Sequence, residues 1–317
     1  MISLDDYAAL HETAVIGAIA PRGQVAVAGA DRASFLQGFL TNDTAQLTTG
    51  HGCYAAWLTP QGRMLCDLHV LESGDMILLD LPSADLIQTA DRLEQFHFTE
   101  DVQIAVLEAL RSVWVHGPAA ARLLGREEYN AWAQYQNARV EFAGVPVVIA
   151  RIDQLGVPGF VIYVDAQQHD EVTRAVATAG ALHATPETLE AARIEAGYPV
   201  FGVDMTPDTI PLEAGIEDRA ISLTKGCYVG QEVIIRILHR GHGRVVRKLV
   251  RLQVEGDAPS ANAKVFSRDR DIGFVTSAAK SPRLGAIALA YLHRDFLAPG
   301  TGVEVDLGDI RAHAVVN

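Results

Sequence analysis

The sequence predicts an α+β protein that ends in a small β-rich domain. Apolar residues make up 49% of the 317 positions, so the chain can bury several cores and is not of the disordered class. Helical and strand-like patterns alternate as far as about residue 182. From about Arg244 onward the pattern changes to short alternating runs separated by glycine and proline, which is typical of a small barrel or sandwich.

The first part of the chain carries the signals of one α+β layer. In "AGADRASFLQGFLTND" the apolar residues fall on one helical face behind Asp31, which predicts an N-capped helix. The stretch "CYAAWLTPQGRMLCDLHVL" predicts two strands joined by a turn at residues 60–62. "DMILLDL" predicts a short strand, "SADLIQTADRLEQF" an amphipathic helix capped by Ser83, and "VQIAVLEAL" another strand.

The same plan returns between residues 111 and 182. "RSVWVHG", "VPVVIAR" and "GFVIYVD" predict strands, and "PAAARLLG" and "QHDEVTRAVATAG" predict helices. Residues 50–110 and 111–182 therefore form two units of similar plan, although no residue-level repeat accompanies them. The next segment, "TPETLEAARIEAGYPVFG", predicts a helix that begins behind Thr185 and ends at Gly197, followed by an extended loop.

Composition narrows the class of protein. The formal net charge of −13 argues against a general nucleic-acid coat, because phosphate binding needs local positive charge. Three cysteines without CxxC spacing fit a reducing compartment and exclude a four-cysteine metal site built from one chain. The start "MISLDDYAALHET" lacks the features of a signal peptide, and no apolar run approaches the ~20 residues of a membrane span. We therefore expect a cytoplasmic protein.

Glu195 is the first candidate site residue. It falls at the predicted end of a helix, where a carboxylate opposes the macrodipole at a cost of roughly 0.3–1 kcal/mol. A salt bridge with Arg193 or a distant arginine is one way to compensate. A ligand with adjacent N–H donors, such as a pterin, is another, because one carboxylate can accept two such hydrogen bonds.

Cys227 is the second candidate, in "KGCYVGQE". Lys225 is two residues away and would favour the thiolate, and a turn between Gly226 and Gly230 would expose the sulfur. The alternative is a buried small apolar residue at the start of a strand "VIIRIL".

Asp67 is the third candidate, because an acid is unusual inside a strand pattern such as "GRMLCDLHV". It could act as a general acid or base, or contact a ligand. An ion pair at a strand edge, with Arg63 as its partner, is the equally simple alternative.

The stretch 236–251 is the last candidate. Residues 233–254 contain no Asp or Glu, and this part of the chain holds Arg236, Arg240, Arg244, Arg247, Lys248 and Arg251, with His239 and His242 among them. A cationic strand pair of this kind could contact tRNA or a polyglutamate tail. A solvated strand edge is the alternative, and the lack of interleaved aromatic residues weakens the case for single-stranded nucleic acid.

Four blocks of the sequence, "FLQGFLTND", "QGRMLCD", "RIEAGYPVFGVDM" and "KGCYVGQE", together resemble a known family. The chain is similar to the YgfZ proteins, which are folate-binding iron–sulfur maintenance factors related to the glycine cleavage T-protein, an aminomethyltransferase. The blocks occur in the family's order, and "KGCYVGQE" distinguishes this branch from the aminomethyltransferases. The resemblance implies a T-protein-like three-domain ring with a ferredoxin-like module and a C-terminal β-barrel. The implied domains are residues 1–110, 111–240 and 241–317, of which the first two form a folate pocket.

The resemblance also implies tetrahydrofolate as cofactor and assigns roles to residues. Glu195 matches the carboxylate that holds the pterin ring, and Gln231 falls where the aminomethyltransferases place a basic residue near the folate. Arg193 and Tyr198 would shape the pocket wall, and Lys225 would also lie at the cofactor. Cys227 matches the cysteine of the branch and would face the same cavity, with Asp67 as the second catalytic residue and no metal ligand.

One block departs from the aminomethyltransferases. Their equivalent of "GRMLCDL" carries an acidic pair that includes the catalytic aspartate, whereas this chain has Cys66 and Asp67. A missing acid is an argument against aminomethyl transfer, which needs a correctly placed carboxylate. Asp67 remains available for proton transfer.

These implications give three functional hypotheses. The first is a tetrahydrofolate-binding factor that supports assembly or repair of iron–sulfur proteins, including tRNA-modifying enzymes, through Cys227. The second is a folate-dependent one-carbon transferase or demethylase that uses Asp67. The third is a tRNA-binding module that uses residues 236–251, and the acidity of the rest of the chain places it last.

Overall fold

The structure, a computed structural model, describes residues 2–239 and 243–317. The chain begins with α1 (Leu4–Glu12) and the short strand β1 (Val15–Ile16). The elements that follow, up to the end of the first sheet, are β2 (Arg22–Ala28), α2 (Arg32–Gln37), β3 (Gly52–Leu58), β4 (Met64–Glu72), β5 (Met76–Pro82), α3 (Leu86–Gln95) and β6 (Gln103–Val106). The five strands form one antiparallel sheet in the order β3-β4-β5-β2-β6.

The predicted turn between β3 and β4 is confirmed, whereas neither predicted helix cap forms a capping hydrogen bond. Asp31 stands at the N-cap position of α2, although its carboxylate accepts the backbone N–H of Asp101 rather than one from the helix. The turn between β3 and β4 is closed by a hydrogen bond from the Thr59 N–H to the Arg63 carbonyl, and Gly62 has φ 75° there. Ser83 begins a short 3-10 turn that leads into α3 instead of capping it directly.

The second sheet has six strands and takes one of them from the start of the chain. Its further elements are β7 (Leu110–His116), α4 (Ala120–Leu123), β8 (Asn137–Phe142), β9 (Val145–Arg151), β10 (Gly159–Asp165), α5 (His169–Thr178) and β11 (Leu182–His183). The strand order is β11-β1-β7-β10-β9-β8, so β1 lies between β11 and β7. The first residues of the chain therefore tie the second sheet to the first.

One face of each sheet packs against the other. Tyr54 and Leu71 from the first sheet belong to the same apolar cluster as Trp114 and Tyr163 from the second. The opposite faces of the two sheets are covered separately, by α2 and α3 in one case and by α4 and α5 in the other. Polar side chains between the two sheets are consequently buried from both sides.

Four helices lead from the second sheet to the last domain. They are α6 (Pro186–Glu195), α7 (Pro211–Ala214), α8 (Glu217–Ala220) and α9 (Gln231–His239). The prediction of a strand at "VIIRIL" is wrong, because these residues lie in α9. Ile234, Ile237 and Leu238 pack on the central apolar cluster at helical spacing, a pattern that a short apolar run satisfies as easily as a buried strand.

The predicted C-terminal barrel is confirmed. Its strands are β12 (Arg247–Val254), β13 (Lys264–Ser267), β14 (Arg270–Ser281), β15 (Gly285–His293), β16 (Gly302–Asp306) and β17 (Arg311–Val316). They close in the order β12-β15-β14-β13-β16-β17, and closure leaves no free strand edge within this domain. Within the described part of the chain, no helix has the length and apolarity to cross a bilayer.

Arg193, on α6, fastens the barrel to the rest of the molecule. Its side chain is 1% exposed, and all five of its N–H groups have acceptors. They donate to both carboxylate oxygens of Glu190, to the Tyr198 carbonyl, to Asp204 at 2.8 Å and to the Ser277 hydroxyl of β14 at 2.7 Å. The guanidinium has no N–H left for a ligand in this structure, so a cofactor contact of Arg193 stays a prediction that would require one of these bonds to be exchanged.

The charge of Arg193 predicts a large effect on stability. Arg193→Met should lower the free energy of unfolding by about 3–5 kcal/mol, because Asp204 would remain buried without its cation. Urea denaturation monitored by circular dichroism measures this. Arg294→Met, which replaces an exposed arginine 3.9 Å from Asp295, is the control and should stay within about 0.5 kcal/mol of the parent protein. Equal losses in the two variants would contradict the role given to Arg193.

His116 makes stability depend on pH. It is fully buried in β7, its Nε2 lies 3.2 Å from the Gly17 carbonyl, and burial lowers its pKa to about 4. In the unfolded chain His116 therefore binds a proton below about pH 6.5, whereas in the folded protein it binds one only below about pH 4. Stability is fully present above pH 6.5 and falls by about 3 kcal/mol on the way to pH 4.

Urea unfolding at pH 7 and pH 5 tests this. His116→Gln should lose part of the acid-induced decrease, whereas His183→Gln, at an exposed histidine, should retain it. An unchanged decrease in His116→Gln would show that other groups cause it.

Candidate functional site

A buried polar cluster lies between the two sheets, and Asp67 of β4 is at its centre. Its neighbours Cys66 and Leu68 point to the outer face, where they join the apolar cluster under α2 and α3. Asp67 points inward and is 2% exposed. The Tyr54 hydroxyl donates to its Oδ2 at 2.9 Å, and an Arg22 Nη donates to its Oδ1 at 3.4 Å.

The strand register explains why these groups meet. Tyr54 of β3 stands opposite His69 of β4, so its hydroxyl reaches Asp67 two residues earlier on the same face. His69 in turn stands opposite Asp80 of β5, and Asp80 stands opposite Gln24 of β2. Three adjacent strands thereby place a row of polar side chains beside Asp67.

Arg22 and Asp80 hold this row together. The Arg22 Nε donates to Asp80 Oδ2 at 2.7 Å, and Asp80 also contacts His69 Nδ1 at 2.8 Å and the Gln24 amide at 2.9 Å. Burial opposes the charge on Arg22, but the two carboxylates Asp67 and Asp80 outweigh it and raise its pKa. Burial also opposes the charge on Asp80 and would raise its pKa, but the contacts with Arg22 and His69 outweigh burial and lower the pKa. The Arg22–Asp80 pair is therefore ionised.

His69 is a neutral member of the cluster. Burial and the nearby charge of Arg22 lower its pKa, and its Nε2 has no hydrogen-bond partner among the described residues. The ring lies 5.9 Å from the Tyr135 ring, which itself stacks at 6.4 Å on Tyr54. The interior of the site thus combines ionised pairs with aromatic walls.

Arg219 of α8 completes the cluster. Its guanidinium carbon lies 4.8 Å from the centre of the Tyr54 ring and 4.2 Å from that of Tyr198. A cavity of about 300 Å³ opens beside it. Its lining is Asn42, Gly52, Cys53, Tyr54, Gln134, Tyr135, Asp153 and Arg219. A flat ligand with polar edges suits such walls.

Of the seven residues predicted for the site, the structure brings two together in this cluster. Asp67 accepts from Tyr54, and Tyr198 stacks on Arg219, which stacks on Tyr54. The proposed ion pair of Asp67 with Arg63 is wrong, since Arg63 contacts Asp208 and Asp67 is paired with Arg22.

Glu195 lies elsewhere, between α1 and the barrel. Its carboxylate, 4% exposed, accepts from the Tyr7 hydroxyl at 2.8 Å, from an Arg283 Nη at 2.8 Å and from the Ser281 hydroxyl. The distant arginine that could compensate this helix-terminal acid is therefore Arg283. That Glu195 holds a pterin stays a prediction, and such a ligand would have to replace these donors.

Lys225 has a structural position. Its ammonium donates to the carbonyls of Gln37, Leu40 and Asn42 at 2.6–2.9 Å, where it caps the end of α2. Burial lowers its pKa to about 8. With three acceptors already bound, the ammonium has no N–H left for a cofactor in this structure. That Lys225 lies at the cofactor stays a prediction.

Cys227 and Gln231 lie on the far side of this loop. The Cys227 side chain is exposed rather than buried, which confirms a presented thiol over an apolar strand residue. Gln231 is the first residue of α9 and lines a separate cavity of about 480 Å³ with Pro60 and Tyr228. Neither Glu195 nor Cys227 lines any of five cavities formed by the described residues. That the two side chains share a folate cavity stays a prediction.

The cationic stretch 236–251 is partly engaged within the protein. Arg247 pairs with Glu213, Lys248 with Glu217, and Arg251 donates to the Glu195 carbonyl. Arg236, His239 and Arg244 are exposed, whereas Arg240 and His242 lie outside the described residues. Contact with tRNA or polyglutamate stays a prediction that depends on these remaining side chains.

The sequence analysis missed Arg22, Tyr54, Asp80 and Arg219. For Asp80 the signal was present, because "MILLDL" places an acid in an apolar strand just as "MLCDL" does for Asp67. The other three come from separate elements and meet Asp67 only through strand pairing and the position of α8.

Comparison with known proteins identifies the class. Residues 2–225 match the family described as GCVT N-terminal domain, and residues 247–317 match the glycine cleavage T-protein C-terminal barrel domain. The chain belongs to the glycine cleavage T-protein family.

Individual relatives agree with this assignment. A protein named aminomethyltransferase from Shouchella clausii is 28% identical over 98% of this chain and 87% of its own length. One of the same name from Saccharopolyspora erythraea is 29% identical over 90% of this chain and 80% of its own. The crystal structure of the glycine cleavage system aminomethyltransferase T from Bartonella henselae superposes with a TM-score of 0.88 at 23% identity, covering 99% of this chain and 88% of that one. The predicted T-protein-like fold is confirmed.

Proposed function

We propose that this protein is a folate-dependent one-carbon transferase of the aminomethyltransferase type, with Asp67 as its catalytic carboxylate. The observation that carries the proposal is the fixed, buried carboxylate of Asp67, which accepts a hydrogen bond from Tyr54, a residue in the wall of the cavity of about 300 Å³. The relatives named aminomethyltransferase support it. It differs from our first hypothesis from sequence, which gave the central role to Cys227.

The residues present fit tetrahydrofolate. The cavity of about 300 Å³ is at the lower end of the range for small-molecule sites, so it suits part of the cofactor and leaves the rest towards its mouth. Tyr54 and Tyr135 of the lining offer ring faces, and Arg219 offers N–H donors. When bound, tetrahydrofolate supplies the nitrogen atoms that accept the one-carbon unit.

Asp67 has the coordination that proton transfer needs. Tyr54 and Arg22 each use one lone-pair position on its two oxygens, so about two of the four positions remain free. An N–H of the folate or of the amine donor can be held there, and the proton that ammonia needs on leaving can be stored there. Because both of its protein partners are themselves fixed, the carboxylate keeps its orientation through the reaction.

The replacement of an acid by Cys66 leaves the carboxylates of the site unchanged. Cys66 faces the opposite side of the sheet, where its sulfur lies 3.8 Å from the Thr89 hydroxyl in an apolar cluster. An acid at position 66 would point away from Tyr54 and Arg22 in this fold. Cys66 in place of the first acid of the pair therefore does not count against aminomethyl transfer.

Asp67→Asn should reduce formation of methylene-tetrahydrofolate from an aminomethyl donor by about 10²–10⁴-fold, because the amide cannot take up the proton. Binding of tetrahydrofolate, measured separately by calorimetry, should change much less. Asp208→Asn, at an exposed acid paired with Arg63, is the matched control and should keep full activity. Undiminished transfer by Asp67→Asn, or no transfer by the parent protein with any aminomethyl donor, would refute the proposal.

A second function is favoured by one observation, the exposed thiol of Cys227 in "KGCYVGQE". On the family resemblance, the protein would support assembly or repair of iron–sulfur proteins, tRNA-modifying enzymes among them, with folate bound in the central site. The thiol would then act on a partner protein at the surface rather than in the folate cavity. This function is compatible with transfer chemistry at Asp67, since the two sites lie on different elements.

A rescue experiment tests the second function. In a strain without the gene, the parent protein should restore the activity of a [4Fe–4S] enzyme and Cys227→Ser should not. Cys66→Ala, at a buried cysteine on the opposite face of the first sheet, serves as the control and should restore it. Full rescue by Cys227→Ser would exclude a role for this thiol.

A further inference from the structure

Arg219 is a cation with no acid in direct contact. Among the residues that the structure describes, its side chain donates no hydrogen bond and forms no ion pair, although it is half-buried against Tyr54 and Tyr198 and the charge of Asp67 acts on it from a greater distance. Arg22 in the same cluster, by contrast, has two carboxylates. Enclosing a cation without an anion is costly, so an anionic ligand at this position would be strongly favoured.

The N–H groups of Arg219 remain available to a ligand. The guanidinium carbon lies over the two tyrosine rings, 4.8 Å and 4.2 Å from their centres, and these cation–π contacts use none of its N–H groups as hydrogen-bond donors. The N–H groups of a guanidinium lie in its plane, where they can bind a carboxylate through two parallel hydrogen bonds. None of the Arg219 nitrogens is among the fully enclosed, unpartnered polar atoms of the described residues, and the side chain lines the cavity of about 300 Å³.

The other polar residues of the lining cannot neutralise Arg219. Asp153 is the acid of the lining, and its carboxylate already binds Arg151 and the Gly159 N–H. The Asn42 amide donates to the carbonyls of Tyr54 and Arg219 itself. Cys53 remains a neutral thiol, because burial raises its pKa to about 12.

We propose that Arg219 and the cavity it lines form a carboxylate-binding subsite, so that the ligand of this site carries a carboxylate that docks on the in-plane N–H groups of Arg219. The carboxylate can belong to the glutamate part of the folate or to a small acid that donates or accepts the one-carbon unit. The first source rests on the proposed function, whereas the second does not require folate binding.

Binding measurements separate the two sources. Tetrahydrofolate and its diamide, in which both glutamate carboxylates are amides, are titrated into the parent protein and into Arg219→Gln. If the folate supplies the carboxylate, the parent protein prefers the acid by roughly 10-fold to 100-fold and Arg219→Gln loses that preference. If a small acid supplies it, the diamide binds as well as tetrahydrofolate, while acetate but not acetamide raises the melting temperature of the parent protein and not that of Arg219→Gln.

Two further variants complete the test. Arg219→Lys keeps the charge but lacks the planar fork, so it should recover only part of the preference. Arg63→Gln, at an exposed arginine, should behave as the parent protein. If Arg219→Gln does not fold, the preferences of the parent protein for tetrahydrofolate over its diamide and for acetate over acetamide decide alone.

The absence of both preferences would overturn the subsite. Because these are binding measurements, they remain informative if aminomethyl transfer is not found. A protein that binds no folate but responds to acetate through Arg219 would refute the proposed function and retain the subsite.

Discussion

The buried ion triad of Arg22 with Asp67 and Asp80 is the constraint on which the site depends. Arg22 comes from β2, and the two acids come from β4 and β5 of the same sheet. Placing any one of these charges alone between two packed sheets would cost several kcal/mol, whereas the three together, with the His69 and Gln24 contacts, leave few polar atoms unsatisfied. The strand register that brings them together therefore fixes the orientation of Asp67 as well.

In this fold, residues of two of the family's sequence blocks connect distant segments of the chain. In "RIEAG", Arg193 fastens α6 to the barrel and Glu195 ties α1 to the turn after β14. In "KGCYVGQE", Lys225 holds the end of α2 through three carbonyls. These contacts join segments between 84 and 188 residues apart along the chain. Residues of these two blocks thus hold together segments that are distant in the sequence.

Much of the fold was predictable, because local patterns determine it. The helices around Phe35, Leu93 and Val172 and the alternating strands of the barrel follow from apolar periodicity and turn residues. The error at "VIIRIL" has a physical cause as well: six apolar or basic residues satisfy both periods, and only packing on the central cluster selects the helix.

The site was less predictable, since it is made of contacts between distant segments. Asp67 was found because an acid in an apolar strand is conspicuous, and Tyr198 because it follows a recognisable block. Arg219 gave no local signal in "IEDRAIS", since a basic residue beside two acids reads as an exposed helix. Its importance comes from its contacts with two tyrosine rings, one of them 165 residues earlier in the chain.

Charge balance explains how the cluster can keep one arginine free. The two arginines, Arg22 and Arg219, are matched by two aspartates, Asp67 and Asp80, and His69 is neutral. The cluster is therefore neutral overall, which makes burial of four charged groups tolerable. Both acids are nevertheless bound by Arg22, and Arg219 is held by tyrosine rings that cannot neutralise it. Position, and not net charge, therefore leaves the N–H groups of Arg219 available for the proposed carboxylate ligand.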